Sequence, residues 1–133
     1  MANITITSID DRTPVWKDAV VNAGVLTLGA ADTILEETIL AMDSVSLKYV
    51  IFVKGGSTNE NGIPKGILAQ DLTVTGSGDS PVRVNVAGEF IKERLIIDAD
   101  GDDSNIDNAV INQLRDYGMI PRFVDDLNIA DNV

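Results

Sequence analysis

Between residues 66 and 90 the chain reads GILAQDLTVTGSGDSPVRVNVAGEF. Apolar and polar positions alternate, break at GSGDSP, and alternate again, which is the period-two pattern of a half-buried strand on each side of a turn. Leu72 and Val74 fall on one face, and Val82, Val84 and Val86 line the facing strand, with Arg83 and Asn85 outward. A central hairpin with a loop longer than two residues is expected. LKYVIFVK, residues 47–54, is rich in β-branched and aromatic residues and reads as a further strand. GGSTNENGIPK after it has the glycine, asparagine and proline chemistry of a surface loop.

Elsewhere the pattern is weaker. DTILEETILAM, residues 32–42, fits either a helix or a strand: Ile34, Leu35, Ile39 and Met42 share a helix face, while Ile34, Thr38, Leu40 and Met42 share a strand face. Periodicity does not decide so short a run. Asn22-Ala23-Gly24 reads as a turn, with a new extended piece from Val25. GEFIKERLII predicts a helical turn after Gly88, with Phe90 and Leu95 inward. A helix follows, with Ser104 as N-cap and Asp107 at the capping-box distance. Its apolar stripe is Ile106, Ala109, Val110, Leu114 and Tyr117, and Gly118 ends it. MIPRFV, residues 119–124, reads as a closing strand. At the other end, Ile4 and Ile6 alternate with Thr5 and Thr7 before Pro14. This short stretch is an edge strand, a frayed terminus, or an arm that adds itself to a partner's sheet.

A chain of 133 residues with 44% apolar content suggests one domain with a real core. The formal net charge of −11 argues against nucleic acid, whose phosphates need clustered Lys and Arg, and against an anionic membrane surface. No apolar run is long enough to span a membrane, and MANITITSIDD has no secretory pattern. With neither cysteine nor histidine, thiolate chemistry, Cys/His zinc sites and Ser-His-Asp triads are excluded.

The remaining candidates for chemistry are carboxylates. DADGDDSNID, residues 98–107, holds five aspartates, and Asp98, Asp100 and Asp102 form a calcium candidate. The EF-hand spacing fails, because Asp103 stands at the sixth position and Ala109 at the twelfth. The plainer reading is a solvated acidic loop favouring the following helix N-terminus. Glu36 and Glu37 would point to opposite faces of a strand, and Asp71 with Glu89 is only a pair of acids in an acidic chain. GGSTNENG lacks the Lys-Ser/Thr ending of a phosphate loop. Phe52, Phe90 and Phe123 are assigned to the core.

ILEETILAM, SLKYVIFVKGG, IPKGILAQDLTVT, VRVNVAGEF and INQLRDYGMI occur in fixed order. This series resembles the lambda-type head decoration proteins of tailed bacteriophages over roughly residues 32–122. Glu37 stands where relatives often carry glycine, and the acidic stretch at 98–103 is unusually charged. The resemblance implies an α/β, β-rich fold: a compact mixed β core with a central hairpin, one short C-terminal helix and an extended N-terminal arm. It also implies that residues 32–42 are strand. By the same resemblance the protein is structural rather than an enzyme and has no cofactor. It would be made in the host cytoplasm and act as a homotrimer on the outer surface of the expanded head, at three-fold sites, binding the major capsid protein and neither nucleic acid nor membrane. Residues 1–14 would form the arm and 15–133 a single domain. The capsid-binding arm is assigned to Asn3, Ile4, Thr5, Ile6, Thr7, Ser8 and Ile9, with Trp16 as its candidate anchor or else plain core. The rival functions are a surface fibre or adhesin and a calcium-dependent binding module.

Overall fold

The computed structural model describes residues 15–123. Eight strands and one α-helix follow in the order β1 (Val15–Leu28), β2 (Asp32–Ile34), β3 (Ile39–Met42), β4 (Tyr49–Ile51), β5 (Pro64–Leu68), β6 (Leu72–Val74), β7 (Gly78–Ile91), α1 (Asn108–Asp116) and β8 (Met119–Arg122). The main sheet runs β1-β4-β3-β5-β7-β8, and β1 also pairs β7. That extra pairing closes β1, β4, β3, β5 and β7 into a small barrel, and β8 adds to β7 in parallel. The β-rich fold with one short helix is as expected, and residues 32–42 contain no helix: they form two short strands, 32–34 and 39–42, separated by a turn, where the resemblance implied continuous strand.

Strand alternation builds two cores from the same residues in sequence. On β3, Leu40 points into the barrel while Ile39 and Ala41 point out of it. On β5, Leu68 points in and Ile67 points out. The barrel interior gathers Leu26, Ile34, Leu40, Tyr49, Leu68 and Val84. The outer core holds Phe52, Phe90, Leu95, Leu114 and Met119, capped by the Val110 and Ile111 side of α1. A side chain of this kind contributes roughly 2 kcal/mol on burial, so the helix is held by packing more than by its own propensity.

Several expectations are corrected. Asn22-Ala23-Gly24 is not a turn. β1 runs through it, paired residue by residue with β7 from Val21↔Asn85 to Leu28↔Gly78. Gly24 is there because the Tyr49 ring presses against it: a Cβ at Gly24 would sit 2.6 Å from Tyr49 Cε2. The other side of the ring faces Gly66 on β5, where a Cβ would lie 3.5 Å from Tyr49 Cε1 and would collide with Val84 Cγ1. We expect Gly66→Ala to lower stability by about 1–3 kcal/mol through overpacking, read from chemical denaturation.

The central antiparallel pairing exists between β5 and β7, at Ile67↔Asn85 and Leu68↔Val84. Leu72–Val74, however, leaves it and pairs antiparallel with β2. The partner of the distal half of β7 is β1. Asn85 is buried, not outward, because β1 and β5 flank it on both sides. The turn expected after Gly88 begins later, since β7 continues to Ile91 before a 3-10 turn at Lys92–Arg94. Phe90 and Leu95 point inward as expected.

The helix starts later than expected as well. Its N-cap is Asp107, whose Oδ1 accepts the Val110 N–H at 3.1 Å, while the Ser104 N–H donates to Asp102 instead. Its buried residues are Val110, Ile111 and Leu114, and Ala109 and Tyr117 are exposed. Gly118 ends it with φ of 87°, the left-handed stop that glycine allows. The closing strand is present at Met119–Arg122, but Phe123 beyond it is 36% exposed rather than core.

Candidate functional site

The acidic candidates are dispersed by the fold. In the loop after Ile97, Asp102 accepts the Ser104 N–H, Asp103 pairs with Lys92 at 2.9 Å, and Asp107 caps the helix. The Lys54 ammonium, 2.8 Å from Asp107, and the Val110 N–H hold that carboxyl below its usual range. Asp98 is pushed up by partial burial and by Asp32. Among the described residues no group of three or more acids is placed to hold a metal ion. Asp71 and Glu89 are committed to different partners. Asp71 Oδ1 accepts the Glu36 N–H at 2.7 Å, and Glu89 pairs with Arg122 at 2.6 Å across β7 and β8.

Glu36 and Glu37 lie on the turn between β2 and β3 rather than on a strand, so the alternation expected of them does not apply. Glu37 is turned into the protein, with only 4% of its surface exposed. Neither carboxylate oxygen has a hydrogen-bond partner among the described residues. Burial, then repulsion from Glu36, pushes its carboxyl up to about 8, against the pull of Arg94. Its backbone is left-handed, with φ of 77°. It is locked there on two sides: Glu37 N–H donates to Leu68 O at 2.9 Å, and Ile96 N–H donates to Glu37 O at 3.0 Å. A glycine at this corner would meet neither cost.

Two open hollows mark the described surface. One, of about 370 Å³, is formed by the turn at 73–80. Its carboxylate, Asp79, is already bound by Lys48 at 2.6 Å and by the Thr27 hydroxyl at 2.7 Å. The other, of about 230 Å³, lies among Met42, Ser44, Leu47, Glu60 and Lys65.

Asn3, Ile4, Thr5, Ile6, Thr7, Ser8 and Ile9 lie outside the described residues. The backbone of Trp16 belongs to β1, at a register shift between Val15↔Phe90 and Lys17↔Glu89, while its side chain lies outside the described set. Sequence reasoning missed an apolar surface. Val45 and Leu47, on the turn between β3 and β4, are 78% and 69% exposed. Val20, Val21 and Val25 on β1 are exposed too. A signal was available in residues 19–31, AVVNAGVLTLGAA, which contain no charged residue in a chain of net charge −11.

A family model described as Bacteriophage lambda head decoration protein D matches residues 5–119. No curated protein matches the chain.

Proposed function

Because the chain belongs to the bacteriophage lambda head decoration protein D family, a family of structural components on the exterior of the phage head, we propose that it is a cement protein of the expanded capsid. In this reading it binds at three-fold sites as a homotrimer and holds neighbouring major capsid subunits together. Residues 1–14 serve as the arm and the rest as one domain. The observation that carries the reading is the family match itself, which begins at residue 5 and so takes in Thr5, Ile6, Thr7, Ser8 and Ile9 of the arm.

The energetics of such an arm favour a multivalent particle. Each backbone hydrogen bond to a capsid edge strand is worth about 1 kcal/mol net. Ordering the arm costs about 1–2 kcal/mol per residue, and burying Ile4 and Ile6 returns roughly 2 kcal/mol each. One arm alone therefore binds weakly. Three arms on one trimer raise avidity about a hundredfold or more. Trp16, at the arm's root, is proposed as its anchor.

The test is co-sedimentation with expanded, undecorated capsids, comparing the full chain with one lacking residues 1–13. Saturable binding by the first and its loss in the second is the expected result. Binding by both would retain the cement role and remove the arm assignment. Binding by neither would move the protein to the adhesin reading.

A further inference from the structure

The corner between β2 and β3 ties several segments together. The Glu37 N–H donates to Leu68 O on β5 at 2.9 Å, and the Ile96 N–H donates to Glu37 O at 3.0 Å. The Thr38 N–H and hydroxyl both donate to Leu35 O, at 3.2 and 2.7 Å, which closes the turn itself. The Glu36 N–H reaches Asp71 Oδ1, on the loop before β6, at 2.7 Å.

The element this corner carries is otherwise lightly attached. β2 and β6 form a two-stranded sheet of their own, three residue pairs long, from Asp32↔Val74 to Ile34↔Leu72. Neither strand belongs to the main sheet. Their hold on the barrel is the packing of Ile34, which is fully buried, and of the partly buried Leu72 and Val74. A short unit with few buried contacts opens at a lower free energy than the fold as a whole.

Glu37 sits at the centre of the corner and carries two costs. Its backbone is left-handed, with φ of 77°, and its carboxyl is 4% exposed with no hydrogen-bond partner among the described residues. A protonated carboxyl tolerates that burial far better than a carboxylate does. Because the Glu37 N–H and C=O are both bound, the side chain reaches water by the corner giving way, and that relieves both costs at once. Burial acts most strongly against the charged form, followed by Glu36 of the same turn, while Arg94 of the 3-10 turn favours it. Glu93 precedes Arg94, and Asp71 is engaged by the Glu36 N–H. β3 and β5 meet the corner with Ile39 and Leu68, which are uncharged. We propose that Glu37 is a protonation-controlled latch: with its carboxyl protonated the 35–38 corner holds the β2–β6 sheet against the barrel, and with it ionised the corner lets that sheet open while the barrel of β1, β4, β3, β5 and β7 stays closed.

In the closed corner the carboxyl is pushed up to about 8, and once exposed it ionises near 4.5. Opening therefore releases a proton between those values, becomes easier as pH rises through that window, and levels off above it. Hydrogen exchange of the full chain, read amide by amide at about pH 6 and pH 8 and corrected for each amide's intrinsic rate, tests the latch. The variants are Glu37→Gln, which keeps the shape without the charge, and Glu37→Gly, which decides if the first fails to fold by circular dichroism. The Glu37, Thr38 and Ile96 amides and the β2–β6 ladder should be less protected than the β1–β7 ladder at both pH values. Their protection should fall about 10- to 100-fold from pH 6 to pH 8 in the unsubstituted chain and stay level in the variants. Corner amides as strongly protected as the β1–β7 ladder would mean that the corner opens only with the whole fold, and would overturn the latch. A fall that persists without the carboxyl, or no fall in the unsubstituted chain, would overturn it as well.

Discussion

Glu37→Gln is expected to make the protein more stable at pH 8–9 and to flatten its stability between about pH 4.5 and 8. The Glu37 carboxyl is buried, without a hydrogen-bond partner among the described residues, and pushed up from 4.5 to about 8. In the unfolded chain it ionises near 4.5. Below that pH both states hold the proton, and the group contributes no pH dependence. Between 4.5 and 8 the unfolded chain releases its proton and the folded chain retains it, so stability falls as pH rises. Above 8 both are ionised and the full cost of a buried charge is present. That cost is on the order of 2–4 kcal/mol, a large part of a small domain's stability. Glutamine keeps the shape and removes the ionisation, so the gain should be greatest at pH 8–9 and shrink towards pH 4.5. Glu37→Gly should add roughly 1 kcal/mol by relieving the left-handed backbone. Denaturant titrations of the three proteins at several pH values measure this. Parallel pH profiles for Glu37→Gln and the unsubstituted chain would show that the carboxyl is not held protonated.

Phe90→Ala is expected to cost about 3–5 kcal/mol, enough to unfold a marginal domain near its working temperature, while Phe123→Ala should change stability by less than about 1 kcal/mol. Phe90 is fully buried and stands where three strands meet, paired with Val15 of β1 and Pro121 of β8. Its loss leaves a cavity among Leu95, Leu114 and Met119, which the barrel wall cannot collapse to fill. Phe123, just past β8, is partly exposed and gives up little on truncation. Thermal melts of the two variants decide the point, and equal losses would mean that Phe123 is packed as deeply as Phe90.

These two phenylalanines show what pattern could and could not reveal. Both carry the same composition signal, and only the strand ends around them separate core from surface. Residues 22–24 make the same point. A glycine after asparagine has the chemistry of a turn, yet Gly24 serves the approach of the Tyr49 ring from a strand 25 positions later in the chain. At the helix, the capping pattern pointed to Ser104, whereas the N-cap is Asp107, three positions later, and the buried face is Val110, Ile111 and Leu114.

The sequence by itself determined the β-rich class, the single C-terminal helix with its glycine stop, the surface loop after residue 54, the lack of thiol and imidazole chemistry, and the family. These depend on local alternation, turn residues, composition and ordered motifs, all of which are properties of neighbouring positions. Only the tertiary structure decided that β6 leaves the central pairing for β2, that β1 closes a barrel on β7, and that Glu37 is buried in a left-handed corner. Strand pairing joins residues tens of positions apart, and side-chain alternation is the same whichever partner a strand takes. The partner is chosen by which closed arrangement buries both faces of β3 and β5 at once, and that is settled by the whole chain.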